Sequence, residues 1–137
     1  MYEWFGYNFY REYTLQKMLF IHGKAGTGKS TLVNLLKNLI GRENYSAVTL
    51  KNLMNERFAA AGLYHKTANF DTDAKPEYLA DGSLLKQLTG EDTIYADRKN
   101  QEPIYYYNYA KLTFAMNELP AMRDFSGGLK RRLLNLK

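Results

Sequence analysis

At 137 residues the chain is long enough to bury a core within a single domain. Hydrophobic residues make up 45% and charged residues 24%, close to the average for soluble globular proteins, so wholesale disorder is excluded; with no cysteine, so are a disulfide scaffold and a thiolate metal site, which suits a cytoplasmic setting. The formal net charge of +5 favours a polyanionic partner, two histidines are too few for a histidine metal cluster, and the apolar run Met18–Ile21 is far too short to span a membrane.

In chain order, residues 1–16 mix aromatics with Arg11 and Glu12 and read as an amino-terminal arm or amphipathic helix. Leu19, Phe20 and Ile21 predict a buried strand that ends in glycine. Leu32, Leu35, Leu36 and Leu39 recur at helical spacing, with Gly41 as the stop. Ser46–Leu50 is a strand candidate. Leu53, Met54, Phe58 and Ala61 predict one face of a helix closed by Gly62. Thr67–Phe70 reads as a strand running into the acidic turn Asp71, Thr72, Asp73, and Leu84, Leu85 and Leu88 suggest a short helix. From Ile94 the pattern alternates, and the polar stretch Arg98–Glu102 divides two runs rich in Ile and Tyr, a hairpin signature. Leu112–Met116 is a last apolar strand, ending at Asn117. Strands alternating with helices predict an α/β fold with a mostly parallel central sheet flanked by helices.

Gly23, Lys24, Ala25, Gly26, Thr27, Gly28, Lys29 and Ser30 satisfy the P-loop pattern G-x-x-x-x-G-K-[ST] between the predicted strand and helix. The glycines let the backbone wrap a phosphate with its N–H groups pointing inward. Lys29 would charge-stabilise the β- and γ-phosphates of ATP, Ser30 would offer a hydroxyl to Mg²⁺, and the helix that follows adds its positive end. Such a loop requires acid at the end of a second strand to hold Mg²⁺ and orient water, and Asp71 and Asp73 are the best placed. Asn117, ending a strand, could touch the γ-phosphate or its water, although alone it reads as a turn residue before Pro120. Arg131 and Arg132 could complete a transition-state clamp; otherwise they form a solvated basic tail.

The order of these pieces resembles the superfamily 3 helicases, most closely the ATPase domain of phage- and plasmid-type primase–helicases. The likeness covers nearly the whole chain: Trp4, Phe5, Gly6, Tyr7; the loop from Gly23 to Thr31; Ala68, Asn69, Phe70 before the acids; Lys86 to Asp92 as K-x-L-T-G-x-D; Lys111 to Phe114; the N-E-L-P block from Asn117 to Pro120; and Arg131, Arg132, Leu133, Leu134. It implies a P-loop NTPase fold (AAA+-like) with a projecting β-hairpin, ATP and Mg²⁺ as cofactors, and nucleotide contacts throughout Gly23–Thr31. Asp73 looks like the acid that orients water and Asn117 like the family's sensor residue. Arg132, with Arg131 as second choice, looks like a finger reaching a neighbouring subunit of a homo-hexamer. Thr72 stands where the family usually has the first acid of its pair, leaving Asp71 as the possible substitute at the metal. The family continues past the position of Lys137 into a further strand and carboxy-terminal elements, so a longer parent, phage- or plasmid-encoded in a bacterial host, is expected.

In such helicases the hairpin grips single-stranded DNA, and Arg98 and Lys99 near its turn are the DNA-binding candidates; alternation along the strands assigns at least half of Tyr105, Tyr106, Tyr107 and Tyr109 to packing, and all four are taken as core by default. The leading expectation is an ATP-driven translocase on single-stranded or forked DNA. Two alternatives stand beside it. One is a small-molecule kinase in which Arg131 and Arg132 serve as lid arginines. The other is a DNA-binding or assembly module that holds nucleotide with little hydrolysis.

Overall fold

The computed structural model describes residues 1–79, 82–119 and 126–137, with the side chains of 78 and 79 left aside; Pro120 of the N-E-L-P block lies outside them. Its centre is a five-stranded sheet. Strand β1 (Met18–His22) lies between β6 (Lys111–Met116) and β7 (Leu133–Leu136); β3 (Ala68–Asp71) pairs with β6, and β2 (Tyr45–Ser46) pairs with β3. Every pairing is parallel, with Phe20 opposite Phe114 and Leu19 opposite Leu134. The three central strands are buried on both faces; β1 therefore reads as an apolar run, whereas β3 and β6 also bury the polar Asn69, Asp71, Lys111 and Thr113.

Alternate residues of those strands feed two cores. Met18, Phe20, Leu112 and Phe114 face one side, with Leu50 and Leu53 of α3 (Leu50–Asn55), Leu85 and Leu88 of α4 (Ser83–Leu88), and Leu129 of α5 (Gly127–Lys130). Leu19, Ile21, Phe70 and Ala115 face the other, under α2 (Lys29–Ile40) and the amino-terminal segment with α1 (Tyr2–Tyr7). The architecture is α/β with a mostly parallel sheet, as the pattern predicts. The hairpin is present as well: β4 (Thr93–Arg98) and β5 (Gln101–Tyr107) form a separate antiparallel pair, with Lys99 and Asn100 at the turn.

Several local expectations are corrected. Helix α2 exists, but it buries Val33, Leu36 and Ile40, while Leu35 and Leu39 are more than half exposed. Leucines occur around most of this helix, so periodicity alone could not say which stripe meets the sheet. The strand expected at Ser46–Leu50 stops after Ser46, because the Thr49 side chain accepts a hydrogen bond from the Asn52 N–H (3.1 Å) and starts α3 at Leu50. The helix expected from Leu53 to Gly62 breaks at Glu56, whose backbone is extended, and resumes as a 3-10 turn over Ala59–Leu63. Phe58 is consequently exposed. Gly62 serves close packing rather than termination, since a Cβ there would lie 2.8 Å from Val48 Cγ2.

The arm at residues 1–16 is helical only over Tyr2–Tyr7, and side chains of this helix and of the segment after it pin the arm to β6. Trp4 Nε1 donates to Thr113 Oγ1 (3.2 Å), and the Tyr13 hydroxyl accepts from the Leu112 N–H (3.0 Å). Lys111 is fully buried. Its ammonium donates to the carbonyls of Tyr10 and Tyr109 (2.7 Å each) and lies over the rings of Tyr7 and Tyr13, 4.4 and 4.7 Å from their centroids. Burial pushes this ammonium down to about 8; the carbonyls and ring faces pull the other way. At the other end of the chain, Leu133 and Leu134 open an edge strand, β7, directly after the arginines.

Candidate functional site

Strand β1 delivers the chain to a glycine-rich loop at the carboxyl end of the sheet, and α2 leaves it. Gly26 and Gly28 have φ of 83° and 89°, a backbone that side-chain-bearing residues rarely adopt, so the turn depends on glycine at both. Gly28 caps α2, and among the described residues no side chain caps the helix's first N–H groups, which leaves the amino end of α2 open to an anion. The Lys29 ammonium bridges the Gly23 and Lys24 carbonyls, and the Thr27 hydroxyl donates to the Lys24 carbonyl (3.0 Å).

A cavity of about 370 Å³ opens over this loop, lined by Ala25, Gly26, Thr27, Gly28, Lys29, Ser30, Thr31, Thr72 and Asn117. Three separate elements thus converge: the loop after β1, the turn after β3 and the residue that follows β6. Adjacency of β1 and β6 brings Asn117 in. Gly23 and Lys24 stand at the base of the loop and do not line the cavity. A Cβ built on Gly26 or Gly28 meets nothing within 4 Å, so the cradle is open above both glycines. The donor set, an ammonium, hydroxyls and helix-end amides, matches the chemistry of a triphosphate and its Mg²⁺.

Of the residues expected at the metal, only Ser30 lines this cavity. Asp71 is buried at the end of β3, and both its oxygens serve the backbone: one accepts from the Leu50 N–H (2.7 Å), the other from the Asp73 N–H (3.1 Å). Asp71 therefore ties the start of α3 to β3. It lines, with Asp73, Thr49, Lys51 and Lys75, a separate cavity of about 160 Å³. Thr72 alone of the acidic turn reaches the loop. Among the described residues, no group of three or more His, Asp or Glu side chains is placed to hold a metal.

Arg131 and Arg132 lie at the far end of the sheet. They precede β7, whose parallel register with β1 sets Leu133 opposite Met18, and the Met18 N–H donates to the Arg132 carbonyl (2.8 Å). Traversing β1 from Met18 to His22 covers roughly 13 Å at about 3.3 Å per residue. Neither arginine reaches the loop of its own chain, which removes them as lid arginines of a kinase. They line instead a cavity of about 410 Å³ with Thr14, Leu15, Gln16 and Lys17. Arg131 donates to Gln16 Oε1 (2.9 Å), and Lys17 to the Arg131 carbonyl. Arg132 is only 7% exposed; one terminal nitrogen donates to the Gly128 carbonyl (2.8 Å), and its buried Nε has no partner. Burial first, and the charge of Arg131 second, lower its pKa, against a weaker pull from Asp92. Among the described residues no carboxylate pairs with Lys17, Arg131 or Arg132.

At the hairpin turn Lys99 is exposed, while the half-buried Arg98 donates from Nε to the Glu102 carbonyl (2.9 Å). Ile94, Ala96 and Tyr106 turn inward, and the Tyr106 hydroxyl donates to the Ala60 carbonyl. Tyr109 is half-buried, under Arg11. Tyr105 and Tyr107 are exposed, which corrects the expectation that these tyrosines are core. Sequence reasoning also passed over Lys17 and the cavity face of Thr72. Neither carries a motif signal, because strand register alone places both.

Comparison with known proteins follows the same lines. The chain is 30% identical over 119 residues to a helicase candidate of Acanthamoeba polyphaga mimivirus, and 30% identical over 113 residues to the DNA primase-polymerase of Nitratiruptor phage NrS-1. These matches take in 81% and 80% of this chain but 12% and 15% of those proteins, so the chain spans a small part of either. Among solved structures, the apo NrS-1 C-terminal region superimposes with a TM-score of 0.65 at 28% identity, covering 85% of this chain and 29% of that one. A JCV helicase bound to a small acetamide compound also gives a TM-score of 0.65, at 17% identity, over 99% of this chain and 39% of that one, a likeness of fold. The profile of a family described as a family of unknown function, DUF5906, matches residues 21–132. The chain belongs to DUF5906, and its fold is that of the superfamily 3 helicase-type domains.

Proposed function

We propose that this domain binds ATP with Mg²⁺ at Gly23–Thr31 and uses its hydrolysis to move along single-stranded or forked DNA during replication, working as one copy in a homo-hexameric ring. The observation that carries the reading is the single cavity joining Lys29, Ser30, Thr72 and Asn117 above a glycine-rich loop and an open helix end. Lys29 would release its two loop carbonyls and hold the β- and γ-phosphates, while Ser30 would reach the ion. Ser30 is the residue that would hold Mg²⁺, and the ion would supply neutralisation of the charge that develops on the triphosphate. Asn117 would orient the water attacking in line, with Asp73 assisting once the turn 71–73 swings toward the loop.

The missing positive charge would come from a neighbour. Arg132, or Arg131, lies at the sheet end opposite its own loop, so either can serve only the cavity of a second copy. Lys99 and Arg98 would follow the DNA phosphates, a sequence-independent contact. In a second reading the domain holds nucleotide and turns it over little. It is favoured by Thr72 at the cavity and by the engagement of Asp71 with the backbone.

The test is ATP hydrolysis with and without single-stranded DNA, at high protein concentration, for wild type and Lys29→Ala. DNA-stimulated turnover lost in the variant is the expected result. Tight ATP binding without turnover would select the second reading, and no ATP binding would defeat both.

A further inference from the structure

The outer face of the hairpin is aromatic. Tyr95, Tyr105 and Tyr107 are 53%, 71% and 68% exposed, although strand alternation needs only the inner residues Ile94, Ala96 and Tyr106 for packing. Tyr95 and Tyr105 are directly opposite across the two strands, with ring centroids 5.2 Å apart and planes tilted by 62°. Tyr107 follows Tyr105 at the strand repeat of about 6.8 Å, twice the roughly 3.4 Å repeat of stacked bases. Cross-strand tyrosine pairs do stabilise hairpins. That role accounts for Tyr95 with Tyr105, but Tyr107 is opposite Thr93 and gains no ring partner among the described residues.

The charge around this face is arranged for an anion at one end. Asp97, the acid on the same strand face as Tyr95, is held by Arg57 (3.1 Å) and accepts the Tyr95 hydroxyl (2.9 Å). Lys99 and Arg98 occupy the tip, and no carboxylate pairs with either among the described residues. Rings along the strands and cations at the turn supply the two contacts a single-stranded nucleic acid makes with sequence-tolerant binders: stacking for bases and charge for phosphates.

We infer that Tyr95, Tyr105 and Tyr107 form a base-stacking platform for single-stranded nucleic acid, continuous with the Arg98/Lys99 tip. The inference deepens the DNA-translocation reading and rests on it. A loop-tip contact through phosphates alone would not distinguish a strand with bases from one without. The tyrosine face makes that distinction.

The experiment compares binding of a fluorescein-labelled 20-nucleotide oligo-dT with an abasic strand of equal length and charge, at one salt concentration. The proteins are wild type, Tyr95→Ala/Tyr105→Ala/Tyr107→Ala, the corresponding triple Tyr→Phe variant, and Lys99→Ala. Wild type should prefer oligo-dT by about tenfold or more. The triple alanine variant should lose that preference, the triple phenylalanine variant should keep it, and Lys99→Ala should weaken both strands alike. Equal affinity of wild type for the two strands overturns the platform while leaving the DNA reading intact. A triple alanine variant that alters the oligomeric state but keeps the preference assigns the face to contacts between copies and overturns the platform as well. Absence of binding to either strand by wild type, even at low salt, sinks the translocation reading itself, and the platform with it.

Discussion

The two ends of the parallel sheet present different chemistry. At the carboxyl end a glycine-rich loop, hydroxyls and an amide surround an open cavity. At the amino end Lys17, Arg131 and Arg132 crowd a second cavity with no acid paired to them among the described residues. Parallel pairing of β1 with β6 and β7 sets the start of each strand at one end and the loop at the other, the length of β1 apart. The contrast shows that cations gather at the sheet end that the loop does not occupy; under the proposed function a second copy, set loop to arginine, would bring the two together.

Mixing two crippled chains tests that comparison most severely. Arg132→Ala should lower ATP turnover by about a thousandfold or more while ATP binding persists, since a transition-state cation acts on the rate. Adding Lys29→Ala chains, inactive alone, should restore part of the turnover, because each interface needs one intact loop and one intact arginine. No restoration at any ratio would argue that the two ends do not meet between copies. Because Arg132 is buried, Arg131→Ala measured in parallel separates loss of a contact from loss of fold.

At the carboxyl end, Thr72→Glu should raise DNA-stimulated turnover by about tenfold, by putting a carboxylate at the position of the pair's first acid, where Mg²⁺ would be held. An unchanged or lower rate in a chain that still binds ATP would mean that Asp71 already fills the role.

The smallest expected effect belongs to the amino end, where Lys111 is buried among tyrosines. Its folded value near 8 lies below the ordinary 10.5, so between those values the unfolded chain binds more protons and stability should rise with pH. Tyr7 behaves oppositely. Burial raises it from 10 to about 12, so stability should fall as pH climbs above 10, with buried Tyr13 and Tyr106 acting in the same sense. Thermal melts across pH 7.5–11 should thus pass through a shallow maximum of a few degrees. Lys111→Met should remove the rising limb and leave the falling one; a rising limb that survives in Lys111→Met would show that another group causes it.

What was legible in the sequence is whatever local chemistry dictates. The glycine-rich loop announces itself because only glycine tolerates its backbone at Gly26 and Gly28. The buried strand at Phe20 reads as an apolar run, and the hairpin reads as alternation around a polar turn. What only the tertiary structure decided is where equivalent residues end up. Leu35 and Leu36 are equally apolar, and the sheet buries one and leaves the other to solvent. Asp71, Thr72 and Asp73 compete for one cavity, and the hydrogen bond from Leu50 pulls Asp71 away from it. The hairpin tyrosines are alike in sequence, and strand facing parts Tyr106 from its exposed neighbours. Arg131 and Arg132 look like a tail until β7 pairs with β1 and sets them at the end of the sheet that their own loop does not occupy. In each case the deciding quantity is strand register or a contact from far along the chain, and local sequence carries no record of either.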